Sequence, residues 1–230
     1  MFDLGTSFIA SVERDPDALA IVDRDIRLTY RQWYTKISAL VTAFDAVGLR
    51  PGDHLVTVLQ NRWEAATLHW ACQFAGIIIT PINWRAKADE IDFYLENSEA
   101  RAVVYQDISA AAVAQSKLAP HLHRIALDAP AAGEIAFPEM IAATDREAEP
   151  RVASDAWSVM LYTSGTTSRP KGVPRRHRAE RHAAVAHVAQ NMYGAGECTL
   201  GVMPLYHTMG VRSLLSMSLI GGLFVCLPRY

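Results

Sequence analysis

The chain has 230 residues, of which 50% are hydrophobic and 20% are charged, and its formal net charge at pH 7 is −2. This composition is ordinary for a globular protein, and the near-neutral charge implies no strongly basic face, so we expect no nucleic acid partner. The three cysteines form no CxxC pair, the N-terminus shows no signal-peptide pattern, and no apolar segment is long enough to span a bilayer, so the prediction is a cytoplasmic protein.

The first 150 residues alternate between strand-like and helix-like segments. Short β-branched runs predict strands, and longer segments with apolar residues at helical spacing predict helices, with Gly48 and Gly76 near the ends of two of them. The predicted strands are 18–23, 26–30, 54–60, 77–83, 101–107 and 124–129, and the predicted helices are 31–49, 62–76, 88–100 and 108–119. The first two strands are expected to form a hairpin. The pattern indicates an α/β protein with mostly parallel sheets flanked by helices.

A segment rich in Pro, Ala and Glu, residues 129–150, is predicted to be a surface connection with one short helix at 137–143. We place a subdomain boundary near Pro150, so that residues 1–150 form a first α/β subdomain and residues 151–230 begin a second, incomplete one. For the second part the prediction is a strand at 156–162, a loop at 163–172, a helix at 177–193, a strand at 199–204, a helix at 210–222 and a strand at 223–228. No helix follows the last strand to cover it, which indicates an incomplete sheet.

The segment LYTSGTTSRPKGV, residues 161–173, places small hydroxyl residues and a glycine in front of Pro170 and Lys171. A loop that follows a buried strand in an α/β protein often holds an anionic ligand, and hydroxyl and amide donors beside a mobile cation suit phosphate oxygens. It is not a Walker A loop, because that motif ends in Gly-Lys-Ser/Thr, whereas Lys171 follows Pro170 and precedes Gly172. The alternative is a polar surface turn, which rarely ends in such an ordered Pro-Lys-Gly.

The same residues carry a family resemblance. YTSGTTSRPKGV resembles the phosphate loop of the adenylate-forming superfamily, which includes acyl- and aryl-CoA synthetases, luciferases and the adenylation domains of peptide synthetases. MPLYHTMGV, residues 203–211, is similar to the Pro-Leu-Phe/Tyr-His-x-x-Gly segment of these enzymes, and the upstream segments follow the order of their N-terminal part. The resemblance covers essentially the whole chain and implies the N-terminal portion of an acyl- or aryl-CoA synthetase.

The resemblance implies roles for particular residues. The phosphate loop would wrap the β- and γ-phosphates of ATP, and its residues are Thr163, Ser164, Gly165, Thr166, Thr167, Ser168, Arg169, Pro170 and Lys171. His207 is the catalytic candidate, because the family places this histidine beside the bound carboxylate and adenylate; the alternative is a histidine that caps a helix start. The resemblance also implies ATP, CoA and a small carboxylic acid as substrates, and Mg²⁺ with ligands outside this chain. No metal ligands are predicted within it.

Two departures from the family pattern affect these expectations. Ser168 stands where the family usually has glycine, which predicts backbone strain if the position needs a positive φ and one more hydroxyl donor otherwise. The chain also lacks the family's Tyr-Gly-x-Thr-Glu segment for adenine and magnesium, its Thr-Gly-Asp segment for ribose, and its C-terminal catalytic lysine. We therefore expect these 230 residues alone to be inactive as a ligase.

The leading interpretation is the N-terminal fragment of an AMP-forming acid–CoA ligase, which activates a carboxylic acid with ATP to an acyl-adenylate and transfers the acyl group to CoA. An aryl or medium-chain acid is favoured. The alternatives are a long-chain fatty acyl-CoA synthetase, an amino-acid adenylation domain, and a truncated non-catalytic nucleotide-binding module or half of a split enzyme. Arg85 is interpreted either as part of a structural ion pair or as a functional residue. A basic run is interpreted as a solvated face or a contact to CoA phosphates at a helix N-terminus, and it comprises Arg175, Arg176, Arg178 and Arg181.

Overall fold

The computed structural model describes residues 2–142, 144, 146–163 and 169–228. It contains two β-sheets with helices packed around them, which confirms the predicted α/β class. The strands are β1 Leu19–Asp23, β2 Ile26–Thr29, β3 His54–Val58, β4 Ile78–Pro81, β5 Ala102–Tyr105, β6 His123–Ala126, β7 Ile135–Ala136, β8 Trp157–Thr163, β9 Lys171–Arg176, β10 Cys198–Gly201 and β11 Leu223–Cys226. The helices are α1 Leu4–Arg14, α2 Tyr30–Ala46, α3 Trp63–Ala75, α4 Ala88–Asn97, α5 Asp107–Gln115, α6 Phe137–Met140, α7 His177–Asn191 and α8 Thr208–Ile220. Among the described residues, no helix combines the length and apolar composition needed to cross a membrane.

The larger sheet has seven strands in the order β7-β6-β5-β3-β4-β8-β9. All neighbouring pairs are parallel except β8 with β9. The central strands β3, β4 and β5 are buried along almost their whole length, as their continuous apolar sequences predict for strands covered on both faces. Parallel strands place their carboxyl ends at one edge of the sheet, and the segment after β8 leaves from that edge.

The smaller sheet has four strands in the order β10-β11-β1-β2. Strands β1 and β2 form the predicted antiparallel hairpin, but β1 also pairs in parallel with β11 from the end of the chain. Each sheet therefore contains strands from both sides of residue 150. The boundary near Pro150 stays a prediction about subdomains, and hydrogen bonds between strands join the two parts that it separates.

Helix α1 is an addition to the predicted elements, because the first residues were considered only as a possible signal peptide. Asp3 caps this helix, since its carboxylate accepts hydrogen bonds from the amide and the hydroxyl of Thr6 at 2.9 and 2.6 Å. Phe8 on the buried face is fully enclosed, and its ring centre lies 4.7 Å from that of Trp70 on α3. The N-terminal helix is therefore part of the main hydrophobic core.

The structure corrects the prediction for the residues that follow the loop. We expected a loop through residue 172 and then a helix, but strand β9 comes first and forms an antiparallel hairpin with β8. Strand β9 is the outermost strand of the seven-stranded sheet, where Pro174 is tolerated although it has no amide hydrogen to donate to a neighbour. Gly172 and Pro174 weaken the strand pattern in the sequence, which is why it was missed. Helix α7 begins at His177, as predicted, and ends at Asn191.

Candidate functional site

The β8–β9 hairpin carries both ends of the predicted phosphate loop. Thr163, the last residue of β8, is the register partner of Lys171, the first residue of β9. Both residues are exposed, at the edge of the sheet where the parallel strands end. Ser164, Gly165, Thr166, Thr167 and Ser168 lie outside the described residues, so their contacts with phosphate stay predictions. The described part of the hairpin thus brings the hydroxyl and the cation at the two ends of the loop opposite each other.

Aromatic side chains on α4 support this hairpin. The hydroxyl of Tyr162 donates to Asn97 Oδ1 at 2.8 Å, and the ring centre of Tyr162 lies 4.6 Å from that of Tyr94. Burial, with a smaller contribution from Tyr94, raises the pKa of Tyr162 to about 12, so its hydroxyl remains a donor at neutral pH. On the other side of the loop, the guanidinium of Arg169 lies 6.0 Å from the ring centre of Phe93. The end of β8 before the loop, through Tyr162, and Arg169 near the other end of the loop therefore both contact α4.

A surface groove of about 480 Å³ separates α4 from Arg169 and Pro170. The α4 wall of the groove carries four carboxylates, from Asp89, Glu90, Asp92 and Glu96. Negative charges repel phosphate oxygens at this range, so the groove does not suit a triphosphate. Across the described part of the chain, no cluster of three His, Cys, Asp or Glu side chains is arranged to hold a metal ion.

His207, the predicted catalytic residue, immediately precedes helix α8 and is exposed. It occupies the capping position of the helix, but its side chain makes no capping hydrogen bond. Its backbone amide donates to the carbonyl oxygen of Pro204 at 2.9 Å, and its ring lies 6.4 Å from the ring of Tyr206. His207 therefore stands at the helix start, as the alternative interpretation has it, but without a side-chain capping bond, and its catalytic role stays a prediction.

His207 and the phosphate loop lie on neighbouring elements. Arg175 on β9 donates to the hydroxyl of Thr208, the residue after His207, at 2.8 Å. Arg175 is four residues further along β9 than Lys171, which corresponds to a rise of about 13 Å. The described link between His207 and the hairpin thus runs through the C-terminal end of β9 and not through the loop itself.

The segment between β10 and α8 is held by Asn61, which sequence reasoning missed. Its side-chain amide donates to the carbonyl oxygens of Gly201 and Met203, both at 2.8 Å, and its Oδ1 accepts from the amide of Leu205 at 2.9 Å. The only signal in the sequence was a polar Gln-Asn pair directly after the buried strand β3. Its partners lie 140 to 144 residues further along the chain, so no local pattern could identify them.

A cavity of about 420 Å³ lies beside this segment, and its lining includes Asn61, Trp84, Arg85, Met203, Tyr206 and Pro228. The guanidinium of Arg85 lies 3.8 Å from the ring centre of Trp84, and the described residues show no ion pair for this arginine. The structural ion pair considered for Arg85 is therefore replaced by stacking. Burial raises the pKa of Tyr206, while the nearby charge of Arg85 opposes that shift. The cavity combines apolar walls with one cation, a composition that suits an organic anion.

The basic run after the loop is engaged within the fold. Arg175 and Arg176 are the last two residues of β9, and Arg176 is also the N-cap residue of α7, so the run lies at a helix N-terminus as predicted. Arg175 forms an ion pair with the buried Glu180 at 3.3 Å, and Arg176 places its guanidinium 4.2 Å from the ring centre of Trp157. The remaining contacts are Arg178 with Asp155 at 2.9 Å and Arg181 with Ser7 at 2.8 Å. Each arginine of the run thus has a partner among the described residues, and a contact to CoA phosphates stays a prediction.

Comparison with known proteins places this arrangement in a family. Residues 8–230 match the family described as AMP-binding enzyme. The chain is 27% identical over 225 residues to 4-hydroxybutyrate–CoA ligase 2 of Metallosphaera sedula, a match that covers 93% of this chain and 41% of that protein. It is also 27% identical over 219 residues to feruloyl-CoA synthase of an Amycolatopsis species, with 95% of this chain and 42% of that protein covered. The chain thus spans about two fifths of the length of these curated relatives.

Among solved structures, the N-terminal domain of FACL13 from Mycobacterium tuberculosis has the same fold. It matches with a TM-score of 0.89 at 23% identity, over 100% of this chain and 58% of that domain. At this identity the match establishes fold and not function. The family match extends over nearly the whole chain, and we conclude that this chain belongs to the AMP-binding enzyme family, of whose acid–CoA ligases it matches the N-terminal portion.

Proposed function

We propose that this chain supplies the triphosphate-binding loop and one wall of the acid site of an AMP-forming acid–CoA ligase. The observation that carries the proposal is the register of Thr163 with Lys171, which brings both ends of a donor-rich loop to the carboxyl edge of the parallel strands. The relatives are ligases of carboxylic acids with CoA by name, which supports an acid, ATP and CoA as the substrates.

In the proposed first step, a carboxylate oxygen of the acid attacks the α-phosphorus of ATP, and the bond from that phosphorus to the bridging oxygen breaks. Pyrophosphate leaves with the electron pair, so negative charge increases on the group that the loop would hold. The ammonium group of Lys171 and the loop donors would stabilise this charge and orient the leaving group in line with the attack. In the second step, the CoA thiolate attacks the acyl carbon and AMP leaves.

Mg²⁺ would accompany ATP and neutralise part of the triphosphate charge. The described residues contain no three-group metal site, and the four carboxylates of the groove lie on its α4 wall, across from Arg169 and Pro170. This donor set does not fit a magnesium site. We therefore assign no step to the ion within this chain and propose that its protein ligands lie outside it.

The acid is proposed to bind beside His207, with its organic part in the cavity lined by Trp84 and Tyr206. A volume of about 420 Å³ is at the small end of the range for ligand pockets, which favours an aryl or medium-chain acid. A long-chain fatty acid or an amino acid is the alternative substrate. A panel of benzoate, octanoate, palmitate and an amino acid distinguishes these classes.

A non-catalytic nucleotide-binding module, or half of a split enzyme, is the second candidate function. The observation that favours it is the coverage of the relatives, since this chain corresponds to 41% of the length of the Metallosphaera ligase. Such a protein would bind ATP through the same loop but would complete the reaction only with another polypeptide.

Binding of ATP by the complete chain tests what both candidates share. We expect Lys171→Ala to raise the dissociation constant for ATP about tenfold, because a charge-assisted contact with phosphate is lost, and to leave AMP binding unchanged. Lys117→Ala is the matched control. It removes an exposed lysine two residues after the end of α5 and should bind ATP like the wild type. Isothermal titration calorimetry measures all three proteins. No ATP binding by the wild type, or equal losses in both variants, would exclude the assignment of the loop.

A further inference from the structure

The segment from Gly201 to His207 has little regular structure of its own, yet it carries the candidate catalytic residue. It leaves β10, makes a tight turn closed by the bond from the His207 amide to Pro204, and enters α8. A segment without a hydrogen-bonded ladder depends on side chains to hold its position. The source of that support is Asn61, at the carboxyl end of β3 in the other sheet.

The side-chain nitrogen and oxygen of Asn61 both form hydrogen bonds with this segment. It is 4% exposed, and both amide donors and its oxygen acceptor bond to backbone atoms of Gly201, Met203 and Leu205. An amide offers two donors and one acceptor in a plane, which an aspartate, a serine or an aliphatic side chain of similar size cannot supply together. Three bonds to one short segment restrict its translation and its rotation at once.

The neighbouring Gln60 has a similar chemistry but a different target. Its side chain donates to the carbonyl oxygen of Pro228 at 3.0 Å and pairs with the side chain of Gln106 at 2.8 Å. The two adjacent amides therefore hold two separate segments of the smaller sheet against the carboxyl edge of the larger one. Only the contacts of Asn61 lead to the residues that precede His207.

We propose that Asn61 is the positioning residue for His207: its three backbone hydrogen bonds set the segment that brings Tyr206 to the cavity lining and His207 to the next position along the chain. This inference rests on the proposed function for the role of His207 towards the acid. Asn61 itself acts through the backbone and not on the acid, although its side chain reaches the cavity lining. The histidine is exposed and has no capping bond, so its location follows from the backbone that Asn61 holds.

Hydrogen exchange on the complete chain tests the positioning directly. In Asn61→Ala, the amide of Leu205 loses its acceptor, and we expect exchange in residues 201–207 to accelerate by about tenfold. In Asn61→Asp, the acceptor for Leu205 remains but a carboxylate faces the two carbonyl oxygens, so the segment should also exchange faster. Gln60→Ala is the matched control and should leave the exchange of residues 201–207 unchanged. Unchanged exchange in both Asn61 variants, or faster exchange spread evenly over the whole chain, would overturn the proposal.

The ring resonances of His207 provide a readout that a general loss of stability would not move. We expect Asn61→Ala to shift them while those of the buried His177 stay in place, and to weaken their response to benzoate and octanoate about fivefold or more. If the ring resonances of His177 shift by the same amount as those of His207, Asn61 has a merely structural role. If His207 of the wild type responds to neither carboxylate, the proposed acid site falls, whereas the exchange measurement still decides whether Asn61 holds the segment.

Discussion

At the scale of single residues, two histidines lie in the core with ring nitrogens that have no hydrogen-bond partner among the described atoms. His69 on α3 and His177 at the start of α7 are buried, and among the described atoms His69 Nδ1, His69 Nε2 and His177 Nε2 have no partner. Burial, with a smaller contribution from His177, lowers the pKa of His69 to about 3. Burial also lowers the pKa of His177 to about 4, against the opposing charge of Asp3. Both rings are therefore neutral in the folded protein at neutral pH.

These two histidines predict a loss of stability in mild acid. In the unfolded chain their pKa is about 6.5, so below that pH the unfolded state binds more protons than the folded state. Their contribution is fully present above about pH 6.5 and is lost as the pH falls towards the folded values near 4 and 3. We expect each to lower the free energy of unfolding by about 2 kcal/mol between about pH 7.5 and pH 5, measured by urea titration.

Two variants separate this effect from other titrating groups. His69→Leu should remove about 2 kcal/mol of the change in the free energy of unfolding between the two pH values, because the unfolded chain then has one histidine fewer to protonate. His182→Ala, at an exposed position of α7, should leave the dependence unchanged. A free energy of unfolding that is the same at both pH values in the wild type would contradict the prediction.

At the scale of elements, the start of α8 shows how closely the His207 segment is packed. A Cβ added to Gly210 would overlap the backbone of Pro204 and Met203, the residues just before the helix. The φ of Gly210 is not positive, so the glycine is required for space and not for an unusual backbone conformation. The carbonyl of Met203 is also an acceptor for Asn61, so the helix and the asparagine confine the same turn from two sides.

We expect a substitution of Gly210 to destabilise the protein because the added side chain has no space at this turn. Gly210→Ala should lower the free energy of unfolding by about 1–3 kcal/mol, because the helix must move away from the turn. Gly194→Ala is the matched control, since a Cβ there meets nothing within 4 Å, and should stay within about 0.5 kcal/mol of the wild type. Urea midpoints measure both, and a Gly210→Ala protein as stable as the control would show that the turn can adjust freely.

At the scale of the whole molecule, the two ends of the chain close on each other. Strand β1 pairs with β11, and the hydroxyl of Tyr30 donates to the carbonyl oxygen of Gly222 at 2.7 Å. Strand β10 forms one edge of the smaller sheet, since β11 is its only neighbour among the described strands. Leu200 on β10 is 50% exposed. A free strand edge beside an exposed apolar residue is a place where another strand can add.

For the isolated chain we expect ATP binding without acid-dependent exchange of ATP with pyrophosphate. The reason is that the family segments for adenine, ribose and the catalytic lysine have no counterpart in these residues. Incorporation of radiolabelled pyrophosphate into ATP, with the acid panel described above and Lys171→Ala as background, measures the reaction. Acid-dependent exchange well above that background would contradict the expectation. Exchange that appears only with a second polypeptide would identify half of a split enzyme.

Features governed by neighbours in the chain were predictable from the sequence. The α/β class followed from alternating apolar runs, and Gly76, which ends α3 with a φ of 73°, marked its helix end. The donor-rich loop was recognised because its chemistry lies within a few consecutive residues. Helix α1 has a local signal in its capping residue Asp3 and was missed because the first residues were considered only as a possible signal peptide. Its packing of Phe8 against Trp70 joins residues more than 60 positions apart.

Other features depend on which segments meet in space. Sequence patterns indicated β1 and β2 as a hairpin but could not show that β11 completes their sheet, because strand pairing is decided by burial across the whole core. They also could not show that β9 joins the outer edge of the larger sheet, or that Asn61 bonds to three residues about 140 positions later. Local propensity acts over a few residues, whereas a hydrogen bond to a distant segment forms only after the core has brought the two together. The donor-rich composition of the loop was thus readable in the sequence, its contact with phosphate stays a prediction, and the placement of His207 was decided by the tertiary structure.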